Sequence, residues 1–430
     1  MRYSIIILLL FSSIVKISAQ LNRNTGDKNS IATEIQNLSK NKLVIEAFNL
    51  IDVLEPFTVK ELIELTEIPA PPFKETLRAQ KVKQLFETAG ADKVWMDSIG
   101  NVLAMRHGKR ATQTVVLDAH LDTVFPEGTD VRVSHRGDTL YAPGVSDDTR
   151  GLTVILAVLR SLEKAKIETA DDLLFVASVG EEGLGDLRGV KFFLKKNTLK
   201  IKSWISVDGT AIEDIATGAL GSVRYKATIN GPGGHSWAAF GLGNPHHAMA
   251  KSIDYFSDEA SRYTSAVGKT SFNVGRTGGG TSVNAIPFES WVEVDMRSES
   301  PEHLKKIDSI FKSSMQKGLS EYNKQIKKGH ALTLTMTSIG FRPSGNTSPA
   351  DPLVQRASAT AALFGTAPRL ITESTNANLA ISKGISAITI GAGGKSDHAH
   401  ALNEWWLNDK GADGIKFALL ITLGETGIAK

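Results

Sequence analysis

Histidines, paired carboxylates and a lone aspartate recur in this 430-residue chain at the ends of short apolar runs, where their donor atoms could converge on a metal ion. His120 and Asp122 are one residue apart, so along an extended segment both side chains project to the same side. There a carboxylate can hold one imidazole nitrogen while the other binds metal, making His120 a ligand and Asp122 its support. Asp147-Asp148 and Glu181-Glu182 are neighbouring acids. Asp148 leads into an apolar helical stretch and is equally suited to cap it, because aspartate accepts N–H bonds at a helix start. Glu181-Glu182 fits an ordinary loop less well, since like charges behind a buried strand repel unless a cation lies between them. Beside a metal, one of the pair coordinates and the other takes a proton from water whose pKa the ion has drawn down toward ~7. Asp208 closes another apolar run, and His398-Ala-His400 follows the last, offering two histidines for one ligand position.

Composition narrows the chemistry. The chain has no cysteine, which excludes disulfides and thiolate metal sites and leaves His, Asp and Glu as ligands. With 49 Lys+Arg against 46 Asp+Glu the net charge is +3, and no basic stripe interleaved with aromatic residues is present, so nucleic acid is excluded as a partner. The N-terminus runs Met1-Arg2-Tyr3, an apolar stretch from Ile5 to Val15, then Ile17-Ser18-Ala19. That is the pattern of a signal peptide over 1–19; the stretch is shorter than the ~20 residues needed to span a bilayer, and Lys16 interrupts it. The mature protein is therefore expected to be secreted or periplasmic, with no membrane attachment after cleavage. Residues 20–42 are a polar lead-in, either mobile or a surface helix.

Strands must bring the candidate ligands together. Thr114–Asp118, Leu173–Ala177, Trp204–Val207 and Ala387–Ile390 are β-branched runs separated by helical patterns such as Thr76–Ala89 and Thr149–Leu162, which predicts a mainly parallel sheet covered on both faces. Open α/β sheets place ligands just beyond the carboxyl ends of their strands, where these acids and histidines fall. Between residues 222 and 340 the pattern changes to β-α-β-β-α-β, with strands at Val223–Ile229, Thr270–Val274, Trp291–Met296 and Ala331–Met336 and helices near His246–Tyr255 and Pro301–Tyr322. The expected architecture is a discontinuous catalytic domain over 43–221 and 341–430, a doubly wound mixed sheet, with a ferredoxin-like α+β domain inserted at 222–340.

Taken together, Asp118-Ala-His-Leu-Asp122, Gly144-Val-Ser-Asp-Asp-Thr-Arg-Gly151, Gly180-Glu-Glu-Gly183, Val207-Asp-Gly209, Gly231-Pro-Gly-Gly-His-Ser236 and His400-Ala-Leu-Asn-Glu404 resemble the M20 family of metallopeptidases, close to its peptidase T-like branch, over about residues 59–424. Ile68-Pro-Ala-Pro71 and Asp97-Ser-Ile-Gly-Asn-Val102 resemble the family's N-terminal pattern. The resemblance implies a zinc-peptidase-like fold and two Zn2+, with Co2+ or Mn2+ as possible substitutes. One ion is implied at His120 and Asp208, a second at Glu182 and His400, with Asp147 bridging and Glu181 as general base. His235 is implied to polarise the scissile carbonyl from the partner subunit of a homodimer formed through the inserted lid domain, with Asn284 and Arg297 contacting substrate. The implied reaction is hydrolysis of amide bonds in short peptides by an exopeptidase; an amidohydrolase acting on N-acyl amino acids shares the chemistry, and a catalytically dead peptide-binding protein is the reading from another class. Asn376 departs from the resemblance, standing in Ser374-Thr-Asn-Ala-Asn378 where aspartate is expected, and His398 with Asp397 is left at the rim.

Overall fold

The computed structural model describes residues 30–429, so the expected signal peptide and residues 20–29 lie outside the described part. Among the described residues, no helix is long and apolar enough to cross a membrane. In chain order the elements begin with α1 (30–39), α2 (Lys42–Thr66), α3 (Thr76–Ala89), β1 (Lys93–Met96), β2 (Val102–Arg106), β3 (Thr114–His120), β4 (Ser134–Arg136), β5 (Thr139–Tyr141), α4 (Thr149–Lys164), β6 (Asp172–Ser178), α5 (Arg188–Lys196), β7 (Ile201–Val207) and β8 (Asp214–Ala219). They continue through β9 (Gly221–Asn230), β10 (Gly234–His235), α6 (Pro245–Val267), β11 (Thr270–Gly279), β12 (Ala285–Ile286), β13 (Glu289–Ser298), α7 (Pro301–Asn323), β14 (Thr333–Arg342) and β15 (Gly345–Asn346). The last are α8 (Pro352–Leu363), β16 (Arg369–Glu373), α9 (Ala377–Ser382), β17 (Ser386–Ile390), β18 (Lys395–Asp397), β19 (Trp405–Leu407) and α10 (Gly411–Thr426).

The chain divides into two compact units, with Gly218–Asn346 and Thr372–Ser374 in the smaller. The larger unit is a mixed α/β layer structure. Its central sheet runs β1-β2-β6-β3-β7-β17-β8, with β6, β3, β7 and β17 mutually parallel and β2 and β8 antiparallel to their neighbours. Every residue of β3 and β6 is buried, as expected of strands covered on both faces. Alternation along these strands divides the core: Val115, Leu117, Phe175 and Ile205 pack with α2, α3, α4 and α10, whereas Val116, Leu174, Val176 and Trp204 pack with α5 and α9. The even-numbered face leads to Asp118 and His120 on β3 and to Ser206 and then Asp208 past β7.

The second half of the lead-in takes the helical alternative, whereas α2 and a second, smaller sheet had no counterpart in the sequence reading. Residues 30–39 of the lead-in are helical and bury Ile35, and α2 continues for 25 residues with Pro56 inside it. Val44, Ala47, Ile51, Thr58, Leu62 and Leu65 recur on its buried stripe at helical spacing. A separate small sheet, β18-β19-β5-β4, supports the turn that carries His398 and His400.

The smaller unit is a four-stranded antiparallel sheet in the order β11-β13-β9-β14, with α6 and α7 supplying the buried helical residues of its core. The connection order β-α-β-β-α-β with the first and third strands central is ferredoxin-like. Along β13, Val292, Val294 and Met296 are buried, while Trp291, Glu293, Asp295 and Arg297 alternate on the more open face.

Candidate metal centre

His120, Asp208 and the Glu181–Glu182 pair sit where strands of the central sheet give way to loops, whereas Asp147 and His400 follow β5 and β18 of the small sheet. His120 is the last residue of β3 and is 2% exposed. Its Nε2 lies 3.1 Å from Asp147 Oδ1, and its Nδ1 is 2.9 Å from the carbonyl oxygen of Asp122. That carbonyl, and not the Asp122 carboxylate 3.7 Å away, holds the imidazole. The carboxylate instead accepts the backbone N–H groups of Glu181 and Glu182 at 2.9 and 2.8 Å, fixing the turn that presents the glutamate pair. Asp122 therefore supports the acids more directly than the histidine. Gly180, with φ +65, makes the turn that precedes Glu181; a Cβ there would meet the Arg188 side chain at 2.6 Å.

Asp147 and Asp148 separate their roles. Asp147 Oδ2 is 3.0 Å from His400 Nε2, so its two oxygens face different imidazoles. Asp148 caps α4 through Gly151 N–H at 3.1 Å and accepts the His120 N–H at 2.9 Å, a role fitting its helix-start position. His400 Nε2 also lies 2.9 Å from Glu182 Oε1. Ligand atoms of His120, Asp147 and Asp208 lie within 4.8 Å of one another, as do those of Asp147, Glu182 and His400, and those of His120, Glu181 and Glu182. His398, half-exposed, is bonded to Asn403 and belongs to none of these groups.

Electrostatics argue that this cluster is built for a cation. Two like charges ~4 Å apart repel by ~4 kcal/mol at the effective dielectric of a protein, more than a hydrogen bond of ~1 kcal/mol returns. Burial pushes the carboxyls of Asp122 and Asp148 upward even though His120 opposes the shift in both. Burial also opposes charging His120, but its Asp147 hydrogen bond and the surrounding aspartates raise its pKa well above the ordinary value. His400 is raised to about 10, chiefly by its bonds to Asp147 and Glu182. Asp147, despite burial, is drawn far below the usual carboxylate range by the two imidazoles. The acids recruit positive charge from the only two imidazoles among their described ligand groups. A divalent cation bound by nitrogen and oxygen donors meets the same need, and this thiolate-free set suits Zn2+, Co2+ or Mn2+.

Residues remote in sequence hold the loops in place. Glu404, fully buried at the end of the His400–Glu404 segment, accepts the N–H groups of Gly144, Ser146 and Asp147 at 2.8, 2.8 and 3.0 Å and the Ser146 hydroxyl at 2.7 Å. It ties the turn bearing His400 to the loop bearing Asp147. Arg78 on α3, also fully buried and lowered to about 10 by burial, donates to the carbonyls of Leu121 at 3.0 Å and Ile68 at 2.7 Å. Glu404 was visible as the last residue of its motif; Arg78 had no local signal, because its nearest acceptors are backbone carbonyl oxygens.

The remaining predicted residues lie in the smaller unit. His235 on β10 pairs with Ala285 on β12, and Asn284 receives the Ser236 N–H at its backbone oxygen, so His235 and Asn284 are brought together. His235 Nδ1 accepts weakly from the N–H groups of Trp237 and Ala238 at 3.2 and 3.4 Å. Arg297 is not brought to them. It stands near the far end of β13, about 26 Å along the strand from Glu289 at ~3.3 Å per residue, with Nε 2.7 Å from Asp295 Oδ2.

Comparisons with known proteins agree with this architecture. The chain is 23% identical over 370 residues, 82% of its length and 94% of the other's, to the uncharacterised protein YqjE of Bacillus subtilis. Its fold is similar to that of aminopeptidase PepT from Bacillus cereus, with a TM-score of 0.67 at 21% identity over 86% of this chain and 98% of that one. It is also similar to the dipeptidase Dug1p of Saccharomyces cerevisiae, with a TM-score of 0.69 at 16% identity over 89% and 98% of the two chains. Residues 116–423, which contain every histidine and acid of the centre, match the family model for Peptidase family M20/M25/M40, and the chain belongs to that family of metallopeptidases.

Proposed function

We propose that the protein is a di-zinc exopeptidase that hydrolyses the amide bonds of short peptides, with Glu181 as general base. The observation that carries this reading is Asp147, whose two oxygens each face a different imidazole at 3.1 and 3.0 Å. His120 and Asp208 would hold one ion, Glu182 and His400 the other, and Asp147 both. When bound, the metal supplies Lewis acidity to the scissile carbonyl and to water. Glu181, buried beside His120 and Glu182, takes the proton from water and returns it to the departing amine. Its place is kept by Asp122, which grips the backbone on either side of the Glu181–Glu182 peptide.

The His235 bonds leave Nε2 as the N–H donor of the neutral ring, suited to a developing oxyanion. In a homodimer formed through the smaller unit, the partner's His235 would supply that donor. Arg297 would have to leave Asp295 to bind a substrate carboxylate. A cleaved segment at 1–19 would place the enzyme outside the cytoplasm. The likeness to an aminopeptidase and a dipeptidase favours short peptides as substrates over N-acyl amino acids.

Purified, zinc-loaded protein should be assayed against dipeptides, tripeptides and N-acyl amino acids in parallel. Release of single residues from peptides is expected. Rapid turnover of an acyl amino acid with every peptide inert would replace the peptidase reading by the deacylase one, and inertness toward both classes would favour a peptide-binding protein.

A further inference from the structure

One pleat beneath the metal-binding side chains, on the same face of the central sheet, lies a buried polar network that the proposed chemistry leaves unused. Asp118 on β3 is two residues before His120, Ser206 on β7 is two before Asp208, and Ser178 closes β6 opposite His120 in the parallel register. Trp204 Nε1–H and the Ser206 hydroxyl both donate to Asp118 Oδ1 at 2.5 Å. Asn376, just before α9, donates from Nδ2 to Asp118 Oδ2 at 2.6 Å and to Ser178 Oγ at 2.9 Å. All five residues are buried.

The orientation of Asn376 shows what the network is organised around. Its Oδ1 is buried without a hydrogen-bond partner, although turning the amide over would redirect that oxygen. The reversed amide would face the Asp118 carboxylate oxygen with its own oxygen, acceptor against acceptor, so the arrangement keeps one unsatisfied atom to avoid a repulsive contact. An aspartate at 376 would meet the same conflict with a full charge, setting two carboxylates 2.6 Å apart in a dry site.

We infer that Asp118 and Asn376 form an acid–amide pair that registers β3, β6 and β7, the three strands whose ends present His120, Glu181, Glu182 and Asp208, and that metal affinity depends on there being one carboxylate in this pair. Asp118 and Asn376 are positioning residues: they bond to each other and to Trp204, Ser206 and Ser178, and act through the strand ends. The inference rests on the metal-centre reading above. A network that served stability alone would change melting and leave metal binding unmoved.

The test is a titration of Co2+ into metal-stripped, full-length protein, read by its visible absorption, with thermal melting in parallel. N376D is expected to bind Co2+ about 10- to 100-fold more weakly than the parent. The exchange D118N/N376D, which again sets one acid against one amide, is expected to recover most of that loss. S206A removes one donor with little change in volume and is expected to weaken Co2+ binding about 10-fold. Parental affinity in N376D, or an exchange variant no tighter than N376D, overturns the proposal. If N376D does not fold, S206A decides the matter, and parental affinity with a parental spectrum overturns it. A parent that binds no Co2+ removes the metal centre itself and this proposal with it, an outcome distinct from a parent and N376D that bind equally well.

Discussion

The metal centre of the larger unit and the His235–Asn284 loops of the smaller one are both rich in hydrogen-bonding groups, but they are built to opposite standards. Around the metal centre, most side chains are buried and are held by backbone atoms from distant segments: Asp122 grips Glu181 and Glu182, and Glu404 grips Gly144, Ser146 and Asp147. His235 is exposed, and among the described residues its imidazole accepts from amides two and three residues along its own loop, with Trp237 at 86% and Val283 at 103% exposure nearby. Cation binding among mutually repelling acids requires groups fixed in advance. A donor to an oxyanion is worth little in water and gains strength when substrate or a partner surface excludes solvent. On the proposed function, the contrast would give permanent architecture to the first region and assembly on binding to the second.

The contrast is broken most severely at Asp147. Asp147→Ala should lose bound metal and with it nearly all turnover; a full metal complement by elemental analysis would show that this residue does not serve both ions. Chelation should lower amide-exchange protection in β3, β6 and α4 while leaving β9, β13 and α7 protected, since only the larger unit holds the acids that the cation neutralises. Next comes His235→Ala, expected to lower kcat by ~10² to 10³ with metal content and melting temperature unchanged. A parental kcat would remove His235 from the reaction.

Glu404→Gln should have an intermediate effect, because the amide keeps the volume but turns one acceptor into a donor facing backbone N–H groups. About 10-fold weaker metal binding is expected, and unchanged affinity in a metal titration would detach the Asp147 loop from the architecture described here. The smallest effect lies at Asp295. Burial favours its protonated form, but the Arg297 and Arg224 contacts outweigh this and hold its carboxyl below the ordinary value. A depressed carboxyl stabilises the fold above its unfolded pKa of ~3.9, and that stability is lost as pH falls toward and below it. Arg297→Ala should therefore flatten the acid limb of a melting-temperature profile between about pH 5 and 3; an acid limb as steep as the parent's would mean that Arg297 does not hold Asp295.

Much of the centre was legible because its chemistry is local in sequence. His120 with Asp122, the two acid pairs, Asp208 and His400 all announce themselves beyond the ends of apolar runs, and continuous β-branched runs marked β3, β6, β7 and β17. What stayed hidden depends on long-range backbone contacts. Asp122 supports an amide pair about sixty positions away in place of the imidazole beside it, and Arg78 serves carbonyl oxygens, which carry no residue identity. The α2 helix was obscured by Pro56, a residue that reads as a break although the buried stripe continues through it. Arg297 was placed by motif alone, and what its motif does not carry is its place near the end of β13, bonded to Asp295.

The central claim is that Glu181 works as a base within a metal centre held by its neighbours. Glu181→Ala, assayed on the best peptide substrate with metal content measured on the same sample, tests it most directly. The account predicts a fall in kcat of ~10² to 10⁴ with metal retained; parental turnover with metal in place would contradict it.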